Sequence, residues 1–372
     1  MQIAGTLISL CAFLFLAFIN AAESAQIMGA YPALFIFGDS LSDTGNAALE
    51  ALPYAMKTTH LPYGETFPGW PSGRFSDGHL LVDLLATHFD LPLPNPFLNA
   101  SADFVGGVNF AVAGSTALNP SCLTSLKVKS LTNLSLDVQI SWHLKFKAEV
   151  ESSIGLLKGS PTEAAFAEAL YVIESGGNDY VYAYSAGYTP SFINFTLIPL
   201  VVQKIQSAVN TLISNGARNF LFVTITPLGC LPALLSRYNG TKDSIGCLEE
   251  YNQASFLHGA HLQTMVETLR ISYPNDTFLL MDFYGAYKYV QNHNEEFGFV
   301  KSLEACCGAG DDYPYNYNAD DECNENSASL CSDPTAYISW DGVHFTDAFH
   351  VQIFNQTFIT GSFLDGAHKA LS

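Results

Sequence analysis

Five short apolar segments recur along the chain: Ala33 to Phe37, Val108 to Val112, Ala169 to Ile173, Phe220 to Ile225 and Phe278 to Met281. Each is rich in aliphatic or aromatic residues and too short for a helix, the pattern of a strand buried on both faces. Stretches with helical spacing separate them. One lies near Asp77 to His88, where Leu80, Leu81, Leu84 and Leu85 share a face. A second covers Leu197 to Ser214 and stops at Asn215-Gly216, and a third spans about Leu248 to Arg270. Short buried strands alternating with amphipathic helices predict a parallel sheet covered on both sides, an α/β protein built as a three-layer α/β/α sandwich. No linker or internal repeat divides the chain, so residues 26–372 are expected to form one domain. The stretch from Leu303 to Pro334 breaks the pattern. It is rich in Cys, Asp, Asn, Tyr and Gly, without periodicity, and reads as a long loop pinned by disulfides.

The first 25 residues form an apolar run ending in small residues, which reads as a secretory signal with cleavage near Ala22 or Ala25. No basic residue precedes the run, and an uncleaved anchor is the rival reading. No later segment is expected to cross a bilayer. Beyond Cys11, seven cysteines remain: Cys122, Cys230, Cys247, Cys306, Cys307, Cys323 and Cys331. In an oxidising compartment most should pair, the odd number leaves one over, and the adjacent Cys306 and Cys307 are expected to take different partners. Their spacing is not that of a zinc site. Sequons at Asn99, Asn133, Asn194, Asn239, Asn275 and Asn355, in loop-like settings, are candidate glycosylation positions. The expected location is extracellular, with the vacuole as the alternative. The chain carries 35 acidic and 15 basic residues, a net charge of −20. Such a surface repels nucleic acid and, taken as a whole, suits a neutral or cationic substrate better than an acidic one.

The first strand runs straight into Gly38-Asp39-Ser40. In open parallel sheets ligands sit beyond the carboxyl ends of the strands, so Ser40 should face that crevice. A serine hydroxyl needs a base to become a nucleophile. Near the other end of the chain, YISWDGVHFT places Asp341 and His344 three residues apart. An acid there can orient the imidazole, whose other nitrogen can take the Ser40 proton. A developing oxyanion needs N–H donors. Candidates are the Ser40 backbone, Gly114 in GGVNFAVAGS and the Asn178 amide in ESGGNDY. Each feature alone has a bland reading as a turn. Asp39 is expected to hold the turn, Glu174, just before the glycines of ESGGNDY, to be structural, and Asp43 and Thr44 to start a helix. His258 and His261 stand at i, i+3 without a third ligand, so they read as structural rather than metal-binding.

Together these motifs resemble the GDSL family, or SGNH hydrolases, especially its secreted plant branch. The resemblance runs through FGDSLSDTGN, PYGETFP, SGRFSDG, GVNFAVAGSTAL, SGGNDY, ACCG and DPTAYISWDGVHFT. It implies a flavodoxin-like sheet of five parallel strands and a secreted carboxylester hydrolase without cofactor or metal. Ser40 would be nucleophile and oxyanion donor, with Gly114 and Asn178 completing the oxyanion hole and His344 as base oriented by Asp341. Gly64, Gly106 and Gly107 sit in similar motifs, which makes the glycine the least secure transfer. The implied substrate is an ester of a specialised metabolite, lipid or polysaccharide. An acyltransferase using the same acyl-enzyme, or a non-catalytic binding glycoprotein on the same scaffold, are the alternatives. Trp340, Phe345, Tyr313, Tyr315 and Tyr317 are candidates to rim an acyl pocket.

Overall fold

The computed structural model describes residues 31–69, 72–152, 159–310, 312–320, 322–323 and 329–366. The signal expected over residues 1–25 lies outside the described residues. The central sheet contains β1 (Leu34–Phe37), β2 (Gly107–Asn109), β3 (Leu170–Ile173), β4 (Asn219–Val223), β5 (Thr277–Met281) and β6 (Leu364–Asp365). Its order is β6-β5-β4-β3-β1-β2, and β1 to β5 are mutually parallel.

The fold is α/β, with one addition to the expected sheet. β6 pairs antiparallel with β5, through Leu364 with Met281 and Asp365 with Leu280. Two residues give no alternation to read in a sequence. The pairing is held from outside: Arg270 donates to the Phe278 carbonyl from Nε and Nη2 and to Asp365 from Nη1. The second strand is also shorter than expected. It ends at Asn109 because that side chain accepts from the Ala111 N–H and donates to the Ser42 carbonyl, which turns the chain.

Strand register explains the aromatic content. Phe35, Tyr171, Phe220 and Phe278 are paired neighbours on successive strands and project from one face. Their ring centroids lie 5.1, 5.5 and 5.5 Å apart in that order. His143 packs edge-on against Phe35 and Tyr171, is fully enclosed, and burial pulls its pKa down to about 3.

The principal helices are α1 (Leu81–His88), α2 (Pro120–Ser125), α3 (Leu136–Ser152), α4 (Gly177–Ser185), α5 (Ile198–Ser214), α6 (Glu249–Ser272), α7 (Phe283–Asn292) and α8 (Asp347–Phe354). They pack in two groups, α3 with α5 and α6, and α1 with α8 and α7, which supply the two outer layers. α3 has no counterpart in the sequence reading because its buried stripe contains Gln139 and His143 among Leu136, Ile140 and Phe146. The continuous helical run Pro190–Ser214 is long and apolar enough to cross a membrane, contrary to expectation. Its apolar face, including Val201, Ile205, Val209 and Leu212, is instead spent on the core.

Among the described residues three disulfides form: Cys230–Cys247, Cys306–Cys331 and Cys307–Cys323. The adjacent cysteines do take different partners, and both bridges pin the Cys-rich loop. The odd thiol is Cys122, which is exposed. Of the sequons, Asn133, Asn239 and Asn275 are exposed and Asn99 is half-buried. Asn194 and Asn355 are not in loops. They lie in π-helical turns, Ile193–Leu197 and Asn355–Ile359, anchored by buried Ile193 and Leu197 and by Thr357 and Phe358.

Candidate active site

The chain leaves β1 toward β2 on one side and returns to β3 on the other, so the order reverses between β1 and β3. A crevice opens at such a point beyond the strand ends. Ser40 follows β1, Asn178 follows β3, and both line one cavity of about 940 Å³ with Gly114, Asp341 and His344.

The Ser40 turn is built by long-range bonds. Gly38 donates its N–H to Gln139 Oε1 (2.9 Å) and accepts from Gln139 Nε2 (2.8 Å). A Cβ on Gly38 would lie 2.6 Å from the Glu174 carbonyl, so only glycine lets β1 and β3 come this close here. Asp39 Oδ1 accepts from the Leu41 N–H at 3.1 Å, holding the turn as expected. Asp43 accepts from the N–H groups of Gly45, Asn46 and Ala47 and so opens the next helical turn.

Asp341 and His344 come together through a turn, not a helix. Asp341 Oδ1 accepts from the Val343 and His344 N–H groups at 3.0 and 2.8 Å. Gly342 has φ 93°, and a Cβ there would strike the Tyr317 ring at 2.3 Å. This folding aims the imidazole back over its own turn. His344 Nδ1 donates to Asp341 Oδ2 at 2.7 Å, and Ser40 Oγ donates to His344 Nε2 at 2.8 Å. Burial pushes the Asp341 carboxyl up, but the charge and hydrogen bond of His344 outweigh it and hold it below the usual carboxylate range. An ionised Asp341 requires the proton on Nδ1, which leaves Nε2 free to accept from the serine. Ser40, Asp341 and His344 are all buried, yet all open onto the cavity.

Further contacts position this turn. Tyr63, fully buried, donates its hydroxyl to Asp341 Oδ2 at 2.8 Å. Asp77 accepts from the Asp347 N–H at 2.8 Å, and Asp347 accepts from the His79 N–H at 2.6 Å. These bonds explain why PYGETFP and SGRFSDG accompany the site: Tyr63 holds Asp341, and Asp77 with His79, just before α1, holds the start of α8 just past His344. Sequence reasoning missed Gln139 and Tyr63, whose partners Gly38 and Asp341 lie far away in the chain, and Arg74, whose partner Asp83 is close in sequence but buried with it.

The Gly114 and Ser40 backbone N–H groups have no acceptor among the described residues. Gly114 has φ 76°, and a Cβ there would meet the Tyr54 hydroxyl at 2.9 Å. Gly106 and Gly107 are excluded from the cavity; Gly107 lies in β2, against the Leu34 backbone. Asn178 Nδ2 already donates to the Ser115 carbonyl at 2.9 Å and to Asp39 Oδ2 at 3.2 Å. Of the aromatic candidates, Tyr313 and Tyr317 line the cavity, whereas Trp340 and Phe345 are fully buried core residues. His258 is enclosed and bonds the Tyr180 hydroxyl at 2.8 Å.

Beneath Ser40 two carboxyls meet. Glu174 Oε2 accepts from the Asp39 N–H at 3.2 Å and from Ser42 Oγ at 3.3 Å, which sets the two acids against each other. Burial, then the neighbouring Asp39 charge, drives Glu174 well above the usual carboxylate range; burial also raises Asp39. His344 faces Asp39 and favours its charge, while Asp179 faces it as a like charge. A folded-state pKa raised above the unfolded one gives stability that is lost as pH rises through the folded value. The protein is expected to lose thermal stability on alkalinisation, and Glu174→Gln, which cannot ionise, is expected to flatten that loss. Unfolding midpoints across pH check this; an unchanged alkaline slope in Glu174→Gln would overturn it.

Residues 34–357 match the GDSL-like lipase/acylhydrolase family. Acetylajmalan esterase 2 of Rauvolfia serpentina is 36% identical over 339 residues, covering 89% of this chain and 91% of that protein. A GDSL esterase/lipase of Arabidopsis thaliana is 37% identical over 342 residues, covering 87% of this chain and 89% of that protein. Another from Arabidopsis thaliana is 38% identical over 330 residues, covering 86% and 82%. The matched span begins with β1 and runs past His344 to the end of α8, so it contains every segment that builds the cavity. The chain belongs to the GDSL-type esterase/lipase family and is a hydrolase of carboxylic esters.

Proposed function

We propose that Ser40, His344 and Asp341 form a catalytic triad acting through an acyl-enzyme. The observation that carries this reading is the unbroken bond sequence from Ser40 Oγ to His344 Nε2 (2.8 Å) and from His344 Nδ1 to Asp341 Oδ2 (2.7 Å). Ser40 Oγ attacks the ester carbonyl carbon while its proton passes to Nε2. The oxyanion takes N–H bonds from Ser40, Gly114 and the Asn178 amide. Collapse breaks the bond to the alcohol oxygen, which leaves with the proton from His344. Water, deprotonated by the same nitrogen, then releases the acid and restores the serine.

Asn178→Ala is expected to lower kcat about 10²- to 10³-fold with little change in KM, the loss associated with one oxyanion donor. Steady-state kinetics on a p-nitrophenyl ester check this, and a loss confined to KM would remove Asn178 from the oxyanion hole.

The names of the Rauvolfia serpentina relatives refer to an acetyl ester. They support a small acyl group on a larger alcohol, and the cavity has room for such an alcohol. Purified protein given an acyl donor in water with a candidate alcohol is expected to yield mostly free acid. Predominant formation of a new ester would replace hydrolysis with acyl transfer. Three disulfides and the exposed Asn133, Asn239 and Asn275 support secretion and glycosylation. A mass shift on enzymatic removal of N-glycans from the plant-expressed protein tests this.

A further inference from the structure

The charge of the cavity is opposite to that of the chain. Among the described residues its lining contains Lys57, Lys127, Lys129 and Arg237 but only two acids, Glu322 and Asp341. Both acids are engaged: Glu322 pairs with Lys57 at 2.8 Å, and Asp341 holds His344. Lys127, Lys129 and Arg237 have no acidic partner among the described residues, and all three are exposed, so they stand where the cavity meets solvent. Arg237 donates to Ser185 Oγ at 3.4 Å and lies over the Tyr238 ring, so its charge is not neutralised. In a chain with 35 acidic and 15 basic residues, a wall whose described residues include three cations without acidic partners and no unengaged carboxylate is the reverse of what composition alone would place there.

A second observation concerns Lys127. It occupies the position just past α2 where the helix closes. Its N–H donates to the Thr124 carbonyl at 2.9 Å, and the Val128 N–H donates to the Leu123 carbonyl at 2.9 Å. This is a Schellman ending, whose left-handed residue is usually glycine. Lys127 has φ 56°. Glycine would avoid the strain of this conformation, and the residue that stands there instead puts a cation on the cavity wall.

The inner wall is apolar and aromatic, with Tyr54, Tyr182, Tyr184, Leu231 and Leu234. We infer that the natural ester is an anionic amphiphile: its apolar body fills this wall, and an acidic group, carboxylate or phosphate, reaches Lys127, Lys129 and Arg237 at the mouth. The net charge of the chain does not oppose this. Salt at physiological strength screens charges beyond about 8 Å, so the nearest cations dominate for a ligand already at the mouth. The inference rests on the proposed site only for which cavity receives the ester.

The test uses four acetyl esters that share a phenol core. They bear a para-carboxylate, a para-phosphate, a neutral para-methyl ester or a para-trimethylammonium group, and each rate is normalised to its own hydroxide-catalysed rate. Wild-type kcat/KM is expected to be about tenfold higher for an anionic ester than for the neutral one at low salt, the combined value of a few exposed ion pairs. The cationic ester is expected to be slowest. The carboxylate and phosphate arms decide between the two acids. The anionic advantage is expected to fall to about twofold or less in 0.5 M NaCl and in a Lys127→Gln, Lys129→Gln, Arg237→Gln variant. Calorimetric binding of the same four esters to Ser40→Ala reports charge preference without turnover. If wild type turns over none of them, the proposed triad fails, and binding still decides the charge question. Equal binding of anionic and neutral esters to Ser40→Ala, or an anionic advantage that survives both salt and the triple variant, would overturn the inference.

Discussion

Ser40→Ala is expected to lower turnover of a p-nitrophenyl ester by about 10⁴-fold or more while leaving the fold in place. The size follows from the chemistry. With no hydroxyl there is no acyl-enzyme, and what remains is an imidazole and a set of N–H donors acting on water. The fold should persist because the turn is set by groups the substitution does not touch: Gln139 on Gly38, the Leu41 N–H on Asp39 and Asp43 on the following helical turn. Ser40 Oγ itself contacts His344 Nε2 and ends the bond sequence there. Stopped-flow or steady-state assays with an unfolding scan on the same sample separate the two effects. Wild-type turnover in Ser40→Ala would remove the serine from the mechanism, and turnover by neither protein would favour a binding role for the cavity.

Arg74→Ala is expected to cost about 3–5 kcal/mol of folding stability, the largest single-residue loss expected outside the aromatic core. Arg74 Nε and Nη2 donate to Asp83 Oδ2 and Oδ1 at 2.8 and 2.7 Å. Both side chains are almost completely enclosed, at 7% and 0% exposure. The guanidinium also stacks 4.5 Å from the Phe67 ring, and Asp83 caps α1 by accepting from the Leu80 N–H. Removing the arginine leaves a buried carboxylate with one backbone donor in place of a planar bidentate partner. Replacing both residues with leucine should cost much less, because no uncompensated charge remains. Denaturant unfolding of wild type, Arg74→Ala and the double variant measures this. A loss below 1 kcal/mol in Arg74→Ala would mean that water or another cation reaches Asp83.

The contrast between these predictions shows where sequence reading works. Ser40 and the Asp341-His344 pair could be read directly because local pattern identifies them: a buried strand running into Gly-Asp-Ser, and an acid and a base inside one tight turn. The five parallel strands could be read for the same reason, since apolar runs and helix spacing are local. Arg74 gave no such signal, because an arginine between glycine and phenylalanine looks like any surface cation. Whether it is buried depends on Asp83 arriving beside it. The charge of the cavity misled for a related reason. Net charge sums over the whole chain, whereas a ligand at the mouth feels the few side chains within a screening length.

Residue order alone determined the strand and helix alternation, the nucleophile turn after β1 and the compact Asp-Gly-Val-His turn, because each depends on neighbours within a few positions. Tertiary structure decided the rest: which cysteine stayed unpaired, that Tyr63 and Glu174 brace the site, that β6 closes the sheet edge, and that three cations without acidic partners among the described residues gather at one mouth. Those outcomes join residues as much as 278 positions apart, as in Tyr63 with Asp341. Their energies come from burial and distance, quantities that exist only once the chain has folded.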